Sequence, residues 1–193
     1  MIVHDWGEIE YLVARKKMQD IHTLALRDKQ NHLILCSHPN IFTVGSSEKK
    51  AFSVNTIKSD RGGSITCHSP GQNIYYFCFE AVNPALFYRK VLRAFEHFFI
   101  HYLPEVYYNK EQAGFYIQNR KIASLGFRYA QGVSLHGVAL NVDVDLDFHS
   151  LVPPCDLEGI MPTSLHHEGV NPRQKSVNSK MIKLIAESFQ DAV

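Results

Sequence analysis

Apolar residues recur at helical spacing across residues 9–28. Ile9, Leu12, Val13, Ile21, Leu24 and Ala25 interleave with Arg15, Lys16 and Lys17, which predicts an amphipathic helix. Leu33–Cys36 and Ile41–Val44 then read as strands, parted by the turn signal His38-Pro39-Asn40. Residues 61–79 read as a hairpin, with Ile65–His68 and Ile74–Phe79 as its arms. Between them, Ser69-Pro70-Gly71-Gln72 has the chemistry of a type II turn: proline presets the second position and glycine accepts positive φ at the third. Asn83 and Pro84 make an N-cap and a first helical residue. The stripe Tyr88, Val91, Leu92, Phe95, Phe98, Phe99 and Tyr102 extends that helix until Pro104 stops it. Strands are expected at Val106–Tyr108, Phe115–Ile117, Ile122–Tyr129 and Ser134–Val142, with Asn119-Arg120 as a hairpin turn. Residues 143–175 are loop-rich, and Val177, Met181, Leu184, Ile185 and Phe189 point to a closing helix over 176–190. The pattern predicts one α/β (α+β) domain over residues 1–193, with a mixed, largely antiparallel sheet flanked by helices.

Composition narrows the function. A chain of 193 residues with 45% hydrophobic and 20% charged residues builds a folded core, not a disordered segment. Spanning a bilayer takes about 20 consecutive apolar residues, and no run approaches that, so no membrane span is expected. A net charge of +1 speaks against a dedicated nucleic-acid binder. Asp5, Glu8 and Glu10 near the N-terminus argue against a secretory signal, so a cytoplasmic protein is expected. Cys36, Cys67, Cys78 and Cys155 then read as reduced thiols, each either core filler or nucleophile. Asp143, Asp145 and Asp147 imitate the start of a calcium loop. Phe148 stands where that loop needs glycine and Pro154 where it needs glutamate. No zinc spacing and no phosphate-binding glycine loop is present.

Four places invite a chemical reading beside a structural one. In Arg61-Gly62-Gly63-Ser64-Ile65-Thr66-Cys67-His68, paired glycines admit close approach of backbone to a ligand, and Arg61 offers an anion partner; a plain structural turn is the alternative. Lys121 opens an apolar strand, where it either snorkels at a rim or sits in a site; period two places it on the face of Ala123, Leu125 and Phe127. His136-Gly137 lies inside a strand, as a binding group or as a hydrogen-bonded core histidine. Pro153-Pro154-Cys155 places one thiol on a loop, where nucleophiles are commonly held.

Taken in order, residues 61–72, Lys121-Ile122-Ala123-Ser124-Leu125-Gly126, His136-Gly137-Val138-Ala139-Leu140-Asn141, Pro154-Cys155 and Thr163-Ser164-Leu165 resemble the octanoyltransferase family of lipoate biosynthesis. His38-Pro39-Asn40-Ile41-Phe42-Thr43-Val44-Gly45 fits that family's early strand-turn-strand. The resemblance implies the fold of biotin and lipoate protein ligase catalytic domains and an acyltransferase without cofactor. It implies transfer of an octanoyl group from octanoyl-acyl carrier protein to a lysine of a lipoyl domain, in 2-oxoacid dehydrogenase complexes or the glycine cleavage H protein. It implies a cytoplasmic acyltransferase; a monomer with no nucleic-acid or membrane partner is expected. By resemblance, Cys155 forms the acyl thioester and Lys121 activates it. Arg61, Gly62, Gly63, Ser64, Ile65, Thr66, Cys67, His68, Ser124, Leu125, Gly126, His136, Gly137, Val138 and Ala139 bind substrate. Two positions depart from the family's pattern: Ser69 and Asp156 each stand where the family usually has glycine. Rival readings are an ATP-dependent ligase of the same fold and an inactive acyl-binding module.

The implied chemistry is consistent with the residues. A free thiol of pKa near 8.5 is only a few per cent thiolate at pH 7. Lowering it by two units takes about 2.7 kcal/mol, within reach of one partly buried ion pair with Lys121. Neutral Lys121 taking the proton as a base is the other route. Transfer from a thioester to an amine runs downhill, which fits the missing nucleotide loop.

Overall fold

The computed structural model describes residues 1–152 and 159–190. Its elements are β1 (Ile2–Glu8), α1 (Tyr11–Asp28), β2 (His32–Ser37), β3 (Ile41–Val44), β4 (Thr56–Lys58), β5 (Ile65–His68), β6 (Gln72–Cys78) and α2 (Pro84–Tyr102). β7 (Tyr107–Asn109), β8 (Gly114–Ile117), β9 (Arg120–Ala130), β10 (Val133–Asn141), a one-turn α3 (Leu146–His149), β11 (Met161–Pro162) and α4 (Gln174–Gln190) follow. The main sheet runs β1-β2-β6-β10-β9-β8-β7, with β11 beside β9. Its pairings are antiparallel except β1 on β2 and β11 on β9. A smaller sheet has the order β4-β3-β5.

Every residue of β6 is buried, as a central strand covered on both faces must be. Its side chains alternate between two cores. Tyr75 and Phe77 join Leu33, Leu35 and Leu140 beneath α2 and α4, where Val91, Phe95, Phe98, Met181 and Ile185 complete the layer. Ile74, Tyr76 and Cys78 face the other way and join Ile34, Cys36 and Leu135 around Met18 and Ala25 of α1. The small sheet lies on the α1 side, tied to it by the Tyr11 hydroxyl donating to Ser59 Oγ at 2.8 Å. α2 starts as its sequence dictates: Asn83 Oδ1 accepts from the N–H of Leu86 at 3.0 Å, and Pro84 needs no partner for the N–H it lacks.

The turn at residues 69–72 forms as its residues require, with Gly71 at φ +86° and the Gln72 N–H on the Ser69 carbonyl. The hairpin expected around it does not form. β5 pairs along its whole length with β3, Ile41 opposite His68 through Val44 opposite Ile65, while β6 is held between β2 and β10. The turn therefore carries the chain from one sheet to the other. His38-Pro39-Asn40 does the same between β2 and β3. The two sheets diverge from these crossovers and leave a cleft.

Other boundaries move by local causes. α1 begins at Tyr11, because Ile9 is still bonded by its N–H to the Ser37 carbonyl beside β1. The β8–β9 turn is centred on Gln118-Asn119, with Gln118 at φ 52°; Arg120 already pairs with Ile117. α4 starts two residues early, at Gln174. β1 is an exposed edge strand whose burial pattern never alternates cleanly, so it left no period-two signal.

Candidate active site

The cleft has two lobes that share Thr66 and Ser124. The apolar lobe is walled by Ile74, Tyr76, Leu125, Gly126, Gly137, Val138 and Ala139 from the main sheet. Tyr11, Arg61 and His68 close it from α1 and the small-sheet side. The polar lobe is lined by Lys121, Gln72, Asn141, His149, Cys67, Phe42, Ile65, Val152 and Pro162. Beyond Lys121 the cleft continues along Gly63, Ser64, Gln112 and Ala113. These spaces collect every described residue predicted for the site except Gly62. Gly62 supports the wall from behind, its N–H donating to the Phe127 carbonyl at 3.1 Å.

Lys121 reaches the cleft through a β-bulge. Phe115 pairs with Ala123 but Tyr116 pairs with Lys121, so Ile122 is an extra residue on β9. The expected shared face of Lys121 and Ala123 is thereby broken: Ala123 packs in the core with Phe115, while Lys121 joins Ser124 in the cleft. The lysine is 3% exposed. Its Nζ donates to the Gln112 carbonyl at 3.0 Å and lies 5.3 Å from the centre of the Tyr116 ring. Gly114 makes room for its stem; a Cβ there would stand 2.5 Å from Lys121 Cε and 2.7 Å from the Ala123 carbonyl oxygen.

The floor of the apolar lobe depends on Gly137. A Cβ at that position would meet the Tyr75 carbonyl oxygen at 1.9 Å and Phe77 at 2.9 Å. Its neighbour His136 takes a left-handed φ of 63° and bonds through Nε2 to Asp60 Oδ1 at 2.7 Å. The His136 hydrogen bond holds the Asp60 carboxyl well below the usual carboxylate range, and Arg128 adds to this. Burial lowers the His136 pKa against the pull of Asp60, so a neutral ring donates to a carboxylate.

Arg61 is turned inward, onto the carbonyls of Gly62, Ser64 and Thr43 and onto Thr43 Oγ1, at 2.9–3.0 Å. From it a directed hydrogen-bond chain crosses the cleft. Thr43 Oγ1 lies 3.4 Å from His68 Nε2, His68 Nδ1 is 2.8 Å from Gln72 Oε1, and Gln72 Nε2 donates to Asn141 Oδ1 at 2.9 Å. Asn141 Nδ2 then donates to the Thr163 carbonyl. The amide donors fix the direction, so His68 carries its proton on Nδ1. Burial pushes the His68 pKa well down, which keeps the ring neutral within this chain. On the far side of the apolar lobe, His38 Nδ1 donates to the Ile9 carbonyl at 2.7 Å, so its Nε2 accepts from the Tyr76 hydroxyl at 2.8 Å.

Burial raises the pKa of the Cys36 and Cys67 thiols and pushes that of Cys78 up to about 12. All three are poorly suited to act as thiolates at neutral pH. Cys155, the expected nucleophile, lies outside the described residues, with Pro153, Pro154 and Asp156. Val152 and Pro162, on either side of that stretch in sequence, both line the lobe that holds Lys121. Sequence reasoning missed Tyr11, Gln72, Tyr76, Asn141 and His149 as cleft residues. Gln72 alone carried a signal, as the polar residue closing a Pro-Gly turn.

A mixed sheet flanked by helices carries an apolar slot that opens onto a buried lysine. The profile of the lipoyl protein ligase A/B catalytic domain matches residues 10–188, and the chain belongs to that family. It is 34% identical to an octanoyltransferase of Wigglesworthia glossinidia brevipalpis, over 89% of this chain and 86% of that one. It is 28% identical to an octanoyltransferase of Marinomonas sp. (strain MWYL1), over 98% and 92%. Among solved structures it superposes on the bi-partite lipoate protein ligase of Thermoplasma acidophilum with a TM-score of 0.73 at 14% identity, covering 98% of this chain and 84% of that one. A biotin protein ligase from Leishmania major in complex with biotin gives 0.58 at 9%, covering 95% and 72%. The fold is that of lipoate and biotin ligase catalytic domains.

Proposed function

We propose that the protein is an acyltransferase that moves an octanoyl group from octanoyl-acyl carrier protein to a lysine of a lipoyl domain in the cytoplasm. The observation that carries this reading is the junction of an apolar slot with the buried side-chain nitrogen of Lys121, in a chain related along most of its length to octanoyltransferases. At about 0.8 kcal/mol per methylene, burying an eight-carbon tail in the apolar lobe supplies the binding energy. That seats the thioester beside Thr66 and Ser124, at the mouth of the polar lobe. Cys155, with Lys121 favouring its thiolate, attacks the thioester carbonyl carbon and expels the carrier's thiol. The acceptor lysine, once deprotonated, attacks the new thioester; an amide forms and the Cys155 thiol is released. No nucleotide is consumed.

Intact-mass analysis after incubation with octanoyl-acyl carrier protein tests this. The expected product is a hydroxylamine-labile octanoyl adduct on the wild-type chain, absent from Cys155→Ala and discharged onto an added lipoyl domain. An adduct that persists on Cys155→Ala, or charging that runs from free octanoate and ATP instead, overturns the assignment.

A further inference from the structure

Ser69 and His149 come from distant parts of the chain and meet in the wall of the polar lobe. Ser69 is 1% exposed and His149 5% exposed. The Ser69 hydroxyl donates to the Pro70 carbonyl at 3.1 Å, so it accepts from His149 Nε2–H at 2.8 Å. Ser69 opens the crossover turn between the two sheets, and that turn is itself locked by Val142 and Asp143 N–H groups on the Gly71 carbonyl. His149 ends α3, whose first turn is capped by Asp145. Three residues on, Val152 lines the lobe with Lys121. The octanoyl-transfer reading assigns neither Ser69 nor His149 a role.

We propose that the Ser69–His149 hydrogen bond is a positioning pin for the transfer site: it fixes α3, and the lobe wall at Val152, against the crossover turn opposite Lys121. His149 acts here as a neutral donor. Asp145 and His68 are the charged and titratable groups nearest it in effect, and burial outweighs the carboxylate, so the ring donates one N–H and carries no charge at neutral pH. The pin touches the polar lobe and leaves the apolar lobe intact. Its loss therefore acts on turnover and spares binding of the acyl tail.

The proposal rests on the octanoyl-transfer reading, and the test separates the two. Steady-state transfer from octanoyl-acyl carrier protein to a lipoyl domain is measured for wild type, His149→Phe, Ser69→Ala, the double variant and His149→Gln, with the melting temperature of each. Expected is a kcat loss of about tenfold to a hundredfold in either apolar variant. KM for the acyl donor stays within about twofold to threefold, and the double variant is no worse than the poorer single one. His149→Gln, whose amide N–H replaces the ring N–H, recovers most of kcat with an unaltered pH profile. A folded His149→Phe with wild-type kcat overturns the pin. So does a His149→Gln variant as impaired as His149→Phe, or one that loses a limb of the pH profile, since the ring would then be moving a proton. Apolar variants that both fail to fold reduce the contact to stability and overturn it too. A wild-type chain that moves no octanoyl group removes the functional reading and the pin with it.

Discussion

Lys121 owes its place to one extra residue. With Ile122 bulged, the lysine side chain enters the cleft beside Ser124; a regular strand of the same residues would direct it with Ala123 into the core. Two outcomes follow at this scale. Lys121→Ala is expected to lower kcat by about 10²–10⁴-fold, the usual range for losing a proton-handling group, with little change in melting temperature; stopped-flow or gel-shift transfer assays check it. Deleting Ile122 leaves every charge in place yet restores the strand's alternation. It is expected to keep transfer well above that of Lys121→Ala in the same assays, because with Ile122 gone Lys121 directly precedes Ala123, stays opposite Tyr116 and still faces the cleft. The residue types at the site were legible because glycine, histidine and lysine are unusual inside apolar strands. Their facing was not legible, because a bulge is a pairing event between β8 and β9 and has no signature in β9 alone.

At the scale of elements, most strand and helix positions could be read from period and caps, as at Asn83-Pro84, but the edge strand β1 and the short β4 and β11 could not. Which strands would pair was beyond local pattern. β5 and β6 have a turn suited to a hairpin, but β3 offers β5 a full-length partner and β6 has both edges taken. Tyr76 went unnoticed for a related reason: a strand buried on both faces gives its cleft-facing residues no contrast with its core-facing ones. Gly137→Ala tests the packing between these strands. A methyl 1.9 Å from the Tyr75 carbonyl oxygen forces β10 away from β6, so a loss of several kcal/mol in urea unfolding and loss of acyl binding are expected together.

For the whole molecule, the buried histidines set a pH limit. His149 has a pKa of about 4 in the folded chain, below the roughly 6.5 of a free histidine, because burial penalises its charged form. The unfolded chain therefore binds its proton first. The stability that His149 allows is complete above about pH 6.5 and drains away as pH falls toward 4. His38, His68 and His136 shift in the same direction through burial. Asp60 and Glu168, lowered by the hydrogen bonds of His136 and Arg120, extend the loss to more acid pH. Melting temperature is expected to drop steeply between pH 6.5 and 4, and less steeply in His149→Gln; calorimetry across that range decides. No helix among the described residues is long and apolar enough to cross a membrane.

Because the slot lies between two sheets joined by two short crossovers, an acyl chain lodged in it acts as mortar. Occupancy couples β3–β5 to the main sheet by contacts that the empty chain lacks, and mass action converts that into added resistance to unfolding. Amide hydrogens of the small sheet should then exchange more slowly once an octanoyl group is bound, while those beneath α2 and α4, which already share a continuous core, keep their rates.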